Sequence, residues 1–254
     1  MSIPFHTFIN ELKRKYESSK FLLSHKANVQ LSFVESAIRD TTRTIPLRMA
    51  GAESISEAVM LAGKLGVDLD PTLGHARLTA LQSNSSNKFT CVLDLSLAGM
   101  MDAFSRVSGM KVHSLQSAYD SHQLTWQGDV MNASVSVSVK SNAKTVKTLI
   151  GAFCVIELAS GDRLPTAISK AEIRQLAEQS NLSPDALPDD FALKHVFKRA
   201  LKTLVTPSNS QLSALQQATK LIDINLFEQS KLTKGRIYEP LHYTENDSTQ
   251  LQTA

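Results

Sequence analysis

The sequence predicts an α+β protein: a small antiparallel β-sheet packed with helices, helices at the N-terminus, and a basic helix near the C-terminus. Three observations lead there. Helical periodicity opens the chain, short strand-like runs with one helix among them fill the middle, and helical periodicity returns at the end. The stretch NASVSVSVK alternates valine and serine with period two, as a half-buried strand does. Two Ser-x-x-Glu pairs, Ser54/Glu57 and Ser169/Glu172, stand before apolar runs as capping boxes that open helices.

Residues 4 to about 23 carry an apolar stripe of Phe5, Phe8, Ile9, Leu12, Tyr16 and Phe21. A second helix is predicted over about 27–40, and Pro46 and Gly51 break the link that follows. The third helix begins at the Ser54 box and stops at Gly66. Asp70-Pro71 and Gly74 signal turns before a strand over about 75–81; a polar loop then leads to the strand FTCVLDL. LAGMMDAFSRVSG is a short helix ending at Gly109, and VHSLQSAYDS, HQLTWQGD and NASVSVSVK are β segments. LIGAFCVIELASGDRLPTAIS reads as a hairpin turning at Ser160-Gly161-Asp162, followed by the helix AEIRQLAEQS and the loop SPDALPDD. FALKHVFKRALKTL is the basic helix, Pro207 to Ser210 is a break, and QLSALQQATKLIDINLFEQ is compatible with a last helix before a polar, acidic tail. No internal repeat is visible. The expected organisation is an N-terminal helical oligomerisation segment over 1–45, an α+β core over 46–206, and a C-terminal helix and tail over 207–254.

A chain 42% hydrophobic and 20% charged has an ordinary globular composition, and no apolar window is long enough for a membrane span. The N-terminus is a poor signal peptide. Cys91 and Cys154 sit in apolar runs and are expected as buried free thiols in a reducing cytosol. A net charge of +3 does not by itself point to nucleic acid. Its distribution does: Pro71–Leu93, Val130–Ile156 and Phe191–Ile222 hold no Asp or Glu, which suggests a positive groove facing a polyanion.

The third window contains the basic helix. At 100° per residue, Leu193, Val196, Phe197, Ala200, Leu201 and Leu204 share one side. Lys194, Lys198 and Lys202 form a row flanked by His195 and Arg199, a basic arc of about 140°. Like charges so placed repel by a few tenths of a kcal/mol per pair, roughly, and a polyanion turns that cost into a gain through counterion release. Further phosphate candidates are His75, Arg77, Lys88, Lys140, Lys144, Lys147, Lys170 and Arg174. Trp126 and Tyr119 are candidate stacking platforms, although a half-buried place in a sheet suits both better. Walker, Rossmann and GxSxG patterns are absent, and the two cysteines lack zinc spacing.

Three blocks in order resemble the RecT family of phage single-strand DNA annealing proteins, relatives of phage Redβ. LGVDLDPTLGHARL is similar to the family's LGL-x-P-x-x-LGHAYL block. GAFCVIELASGDRLPTAISKAEIRQL is similar to its strand, hairpin and helix with a Lys-x-x-Ile pattern, and FALKHVFKRALKTLV to its basic helix. The resemblance covers about residues 55 to 206. Where the family carries Gly-Tyr-Arg/Lys-Gly, this chain has Ser96-Leu97-Ala98-Gly99; the family's DNA contact there has no counterpart or passes to Arg106. In the basic helix, Leu193 replaces a Lys and His195 a Thr, while Lys194, Lys198, Arg199 and Lys202 remain.

The resemblance implies a protein that is not an enzyme and needs no cofactor or metal. It would coat single-stranded DNA, assemble into rings or helical filaments, and pair complementary strands without nucleotide hydrolysis. It would work in the cytoplasm beside a partner exonuclease, with a host single-strand binding protein as a further partner. The alternatives are a metal-dependent DNA nuclease using Asp68 and Asp70, which capping and turn formation explain more simply, and a self-assembling structural phage protein.

Overall fold

The structure, a computed structural model, describes residues 4–19, 21, 27–43, 45–82, 89–119, 122–127, 134–139, 148–179, 183, 187, 190–204 and 210–227. Its helices are α1 (Phe5–Glu17), α2 (Ala27–Arg39), α3 (Ala52–Leu65), α4 (Leu97–Ser108), α5 (Lys170–Gln179), α6 (Phe191–Thr203) and α7 (Ser210–Phe227). Its strands are β1 (Ala76–Gln82), β2 (Phe89–Leu95), β3 (Lys111–Tyr119), β4 (His122–Gln127), β5 (Ser134–Val139), β6 (Leu149–Glu157) and β7 (Arg163–Ser169). The class is α+β, with antiparallel strands, as the element order predicts. The strands do not form one sheet, however: β1 pairs with β2, β4 with β5, and β3, β6 and β7 make a three-stranded sheet in that order. By internal contacts the chain divides into Met1–Gly99 with Lys220–Ala254, and Met100–Thr219, a division that cuts through the expected 46–206 block. Among the described residues no helix is long and apolar enough to cross a membrane.

In the first unit, α1 buries Phe5, Phe8, Ile9, Leu12 and Tyr16 against α2 and α3. It ends at Glu17, short of the expected 23, because the hydroxyls of Ser18 and Ser19 bond back to the Lys15 carbonyl. Phe21 lies beyond the helix and returns to it, its ring 4.6 Å from that of Tyr16. The apolar stripes of α1 and α2 are thus consumed inside the unit, each fully buried large side chain contributing about 1.5–3 kcal/mol.

The start of α3 also differs from expectation. The helix opens at Ala52, and Ser54 makes no capping box with Glu57. The Ser54 hydroxyl donates to the Gly51 carbonyl and accepts the Cys91 N–H on the outer border of β2. The C-terminal stop is as expected: Gly66 has φ 67°, and the Val67 N–H returns to the Ala62 carbonyl. β1 and β2 pair from Ala76↔Leu95 to Gln82↔Phe89, burying Ala76, Leu78 and Ala80 with Cys91, Leu93 and Leu95. On the far border of β1, Arg43 donates to the Leu78 carbonyl at 2.7 Å while Asp40 holds its Nε at 3.0 Å.

Buried Asp68 accepts the Gln30 amide at 2.7 Å and the Asp70 N–H at 2.8 Å; Gln30 in turn accepts the Leu69 N–H. Asp70 accepts both the N–H and the hydroxyl of Thr72. The DLD carboxylates therefore latch α2 to the turn before β1. Ser96, the residue before α4, accepts the Gly99 N–H, and its own N–H and hydroxyl donate to the His75 carbonyl. A Cβ on Gly99 would fall inside the van der Waals envelope of that carbonyl.

In the second unit, β6 is buried on both faces from Gly151 to Ile156, which is why its sequence is a continuous apolar run. The β6–β7 turn closes through Leu158 N–H to the Asp162 carbonyl, with Gly161 at φ 90°. α5 packs on β6 and β7, and α6 packs on all three strands of the sheet. Phe197 of α6 meets Phe104 of α4 edge-on at 5.7 Å, and Gln216 of α7 donates to the Leu201 and Leu204 carbonyls at the end of α6.

Gly99→Ala is expected to destabilise the protein by about 1–3 kcal/mol through backbone overpacking, measured by urea unfolding. A midpoint within error of the unaltered protein would show that the approach of α4 to His75 is not tight.

Candidate nucleic-acid interface

The basic helix forms where expected, but its faces are not those the sequence implied. Ala192, His195, Val196, Phe197, Lys198, Ala200 and Leu201 are all buried, so α6 is covered nearly all round. Lys198, the middle of the expected row, is 2% exposed. Lys194 is half-buried and Lys202 alone of the row is exposed. The physical reason is a second packing layer: the sheet takes one side of α6, and Phe104 and Gln216 take others. A lysine stem is aliphatic enough to lie in such surroundings. Lys194, His195, Lys198 and Lys202 each have an interaction partner.

Nor is the helix without an acid nearby in space. Arg199 Nη2 lies 2.7 Å from Glu172 Oε1 on α5, and Nη1 donates to the Ala167 carbonyl of β7 at 3.1 Å. Pro165, opposite Val155, has no N–H to give β6, so that pair is of the kind that turns its backbone groups outward. Ala167, two residues on, shares that orientation, and Arg199 covers its carbonyl on the open border of β7.

Glu172 has two jobs. Its Oε2 accepts the Ser169 N–H at 2.8 Å and the Ser169 hydroxyl at 2.9 Å, while the Glu172 N–H reaches the Ser169 oxygen at 3.3 Å. This is the capping box expected at Ser169, and its other oxygen serves Arg199. The Ser169 N–H, then the Arg199 guanidinium, then the Ser169 hydroxyl bring the carboxyl down from its ordinary 4.5 to about 2.

The remaining candidates are dispersed. Lys170 and Arg174 are exposed on α5, about 40° apart and about 160° round the helix from Glu172. Arg77 in the first unit is 73% exposed but pairs with Asp94 across the strands at 2.8 Å, and His75 is half-buried, its carbonyl engaged by Ser96. Arg106 pairs with Asp102 on α4 at 2.9 Å. Lys88, Lys140, Lys144 and Lys147 lie outside the described residues. Tyr119 is half-buried in β3; of Trp126 only its place opposite Val135 is described.

What the structure brings together is the end of β7, the start of α5 and the last turns of α6, through Ala167, Ser169, Glu172 and Arg199. Sequence reasoning missed Glu172 as the partner of Arg199; its capping role was legible, its second oxygen was not. Among the described residues no three His, Cys, Asp or Glu side chains are placed to hold a metal ion. Cys91 and Cys154 are buried free thiols, and burial pushes Cys154 up to about 12.

No protein-family model matches this chain, and no curated protein sequence matches it.

Because the folded-state pKa of Glu172 is depressed, its contribution to stability is present above about pH 4.5 and is lost as pH falls towards 2. Glu172→Gln is expected to flatten the acid limb of a stability-against-pH curve in that window. An unchanged limb would show that the carboxylate does not hold the second unit together. Amine labelling of the native protein is expected to modify Lys170 and Lys202 readily and to spare Lys198; equal labelling of Lys198 would place it at the surface.

Proposed function

We propose that the chain is an ATP-independent annealing protein that binds single-stranded DNA, oligomerises on it and pairs complementary strands in phage-type homologous recombination. The observation that carries this reading is the ordered three-block resemblance. In its support, the second and third blocks lie together in one unit: hairpin β6–β7 and α5 form the one, α6 the other, and Arg199 ties them. A partner exonuclease that exposes the strand, and a host single-strand binding protein, belong to the same reading.

Annealing needs no bond made or broken in the DNA. It needs phosphate charge neutralised so that two polyanions can approach, with base edges left free to pair. Exposed amines and guanidinia on rigid elements supply the first requirement. Lys170, Arg174 and Lys202 are the exposed cations of the second and third blocks, and Lys194 and Arg199 of the third are partly exposed. Lys198 is withdrawn from the contact set because it offers no surface to a phosphate. His75 and Arg77 stand as contacts of the first unit.

With two labelled complementary oligonucleotides and no nucleotide triphosphate, the protein is expected to accelerate duplex formation and to bind each strand with steep salt dependence. Changing Lys170, Arg174 and Lys202 together to Ala is expected to weaken binding and to lower the slope of log K against log salt by about 2, at about 0.7 per phosphate contact. Strand shortening in the presence of magnesium would favour a nuclease instead. Large particles indifferent to added oligonucleotide would favour a structural phage protein.

A further inference from the structure

Arg199 is held by two groups that differ in how easily they are replaced. Nη1 bonds to a backbone carbonyl of β7, which cannot move without the strand. Nη2 bonds to a side chain at the surface: Arg199 is 42% exposed and Glu172 39%. Glu172 is anchored independently, because its other oxygen takes the Ser169 N–H and hydroxyl. Opening the contact between Nη2 and Oε1 leaves the capping box of α5 and the Ala167 bond intact. The only loss is one half-exposed ion pair, a class worth about 0–1 kcal/mol.

We propose that Glu172 is an internal stand-in for a DNA phosphate at Arg199: its Oε1 holds the outward edge of the guanidinium in the free protein, and a backbone phosphodiester of single-stranded DNA takes that edge over on binding. The proposal rests on the annealing reading and adds the regulation of one contact within it. The arrangement suits the exchange. The Nη1 bond keeps the planar guanidinium aimed while Nη2 changes partner, so little ordering remains to be done when the strand arrives. Lys202, one turn further along α6, and Lys170 and Arg174, two residues either side of Glu172, are the nearest exposed cations in sequence to the two sides of the pair. A phosphodiester carries the same single charge as the carboxylate but has two non-bridging oxygens to offer, whereas Oε2 of Glu172 is taken by Ser169. Glu172 therefore restrains Arg199 without locking it.

The test compares Glu172→Gln, Arg199→Gln and the double variant with the unaltered protein. Anisotropy of a labelled oligothymidylate is read over a salt series, with folding checked by thermal unfolding. Gln at 172 retains an acceptor for the capping box and loses the charge. Expected for E172Q is a several-fold tighter complex with a slope steeper by up to about 0.7. In the Arg199→Gln background the same change is expected to add nothing. E172Q binding like the unaltered protein would overturn the proposal while leaving the annealing reading intact. So would an equal gain in both backgrounds, which would mark a general charge effect. If Arg199→Gln fails to fold, Arg199→Lys serves in its place; it keeps the charge, loses the fork, and is expected to halve the E172Q gain or more, an undiminished gain counting against the proposal. No binding of oligothymidylate by the unaltered protein at any salt would overturn both readings.

Discussion

The near-complete enclosure of α6 is the constraint on which the second unit depends. A helix with a sheet on one side and α4 and α7 on others has little surface for charge, yet this one carries four lysines and arginines and a histidine. Charge in such a place is tolerated only where it is paired. The chain meets that demand residue by residue. Arg199 leaves the core at the border of β7, where it meets a carbonyl and a carboxylate. Lys202 leaves at the last turn, where the helix ends, and Lys194 is half covered near its start. Lys198 stays inside with a partner. The placement of α5 follows from the same demand, because the carboxylate that caps it is also the one that answers Arg199.

Much of this was legible in the sequence, and the failures share a cause. The hairpin read from LIGAFCVIELASGDRLPTAIS is β6–β7, and Gly66 and Gly161 sit at positive φ where a stop and a turn were expected. The two Ser-x-x-Glu pairs are locally alike, yet only Ser169/Glu172 became a capping box. Ser54 was drawn away by the orphan N–H of Cys91, a strand neighbour far along the chain that no local pattern reveals. The apolar side of α6 was likewise read correctly from its period. What periodicity could not supply was the number of neighbours: a row of lysines looks the same whether it faces water or a second layer of protein.

The candidate interface is accordingly smaller than a continuous cationic face, and it lies elsewhere. Its exposed cations sit on α5 and at the end of α6, and those of α5 are turned away from the Glu172–Arg199 pair. In the proposed reading this favours contact with phosphates at separated points over a single floor of charge. Separated contacts suit a protein that must hold a strand without reading it and leave bases free for a complement. The carboxylates of the DLD stretch fit the same reading, since hydrogen bonds to Gln30 and to the turn engage them in the fold.

Three strand borders carry a stopper. Arg43 sits on the outer carbonyl of β1, Ser54 on the outer N–H of β2, and Arg199 with Pro165 on the outer side of β7. At each of these points one outward backbone group is already engaged or absent, which disfavours pairing with foreign backbone there. In the proposed reading, neighbours crowded on one DNA strand would be discouraged from fusing their sheets at these points. Adhesion between such neighbours would then have to come from side chains, and so could be undone when the strand is released.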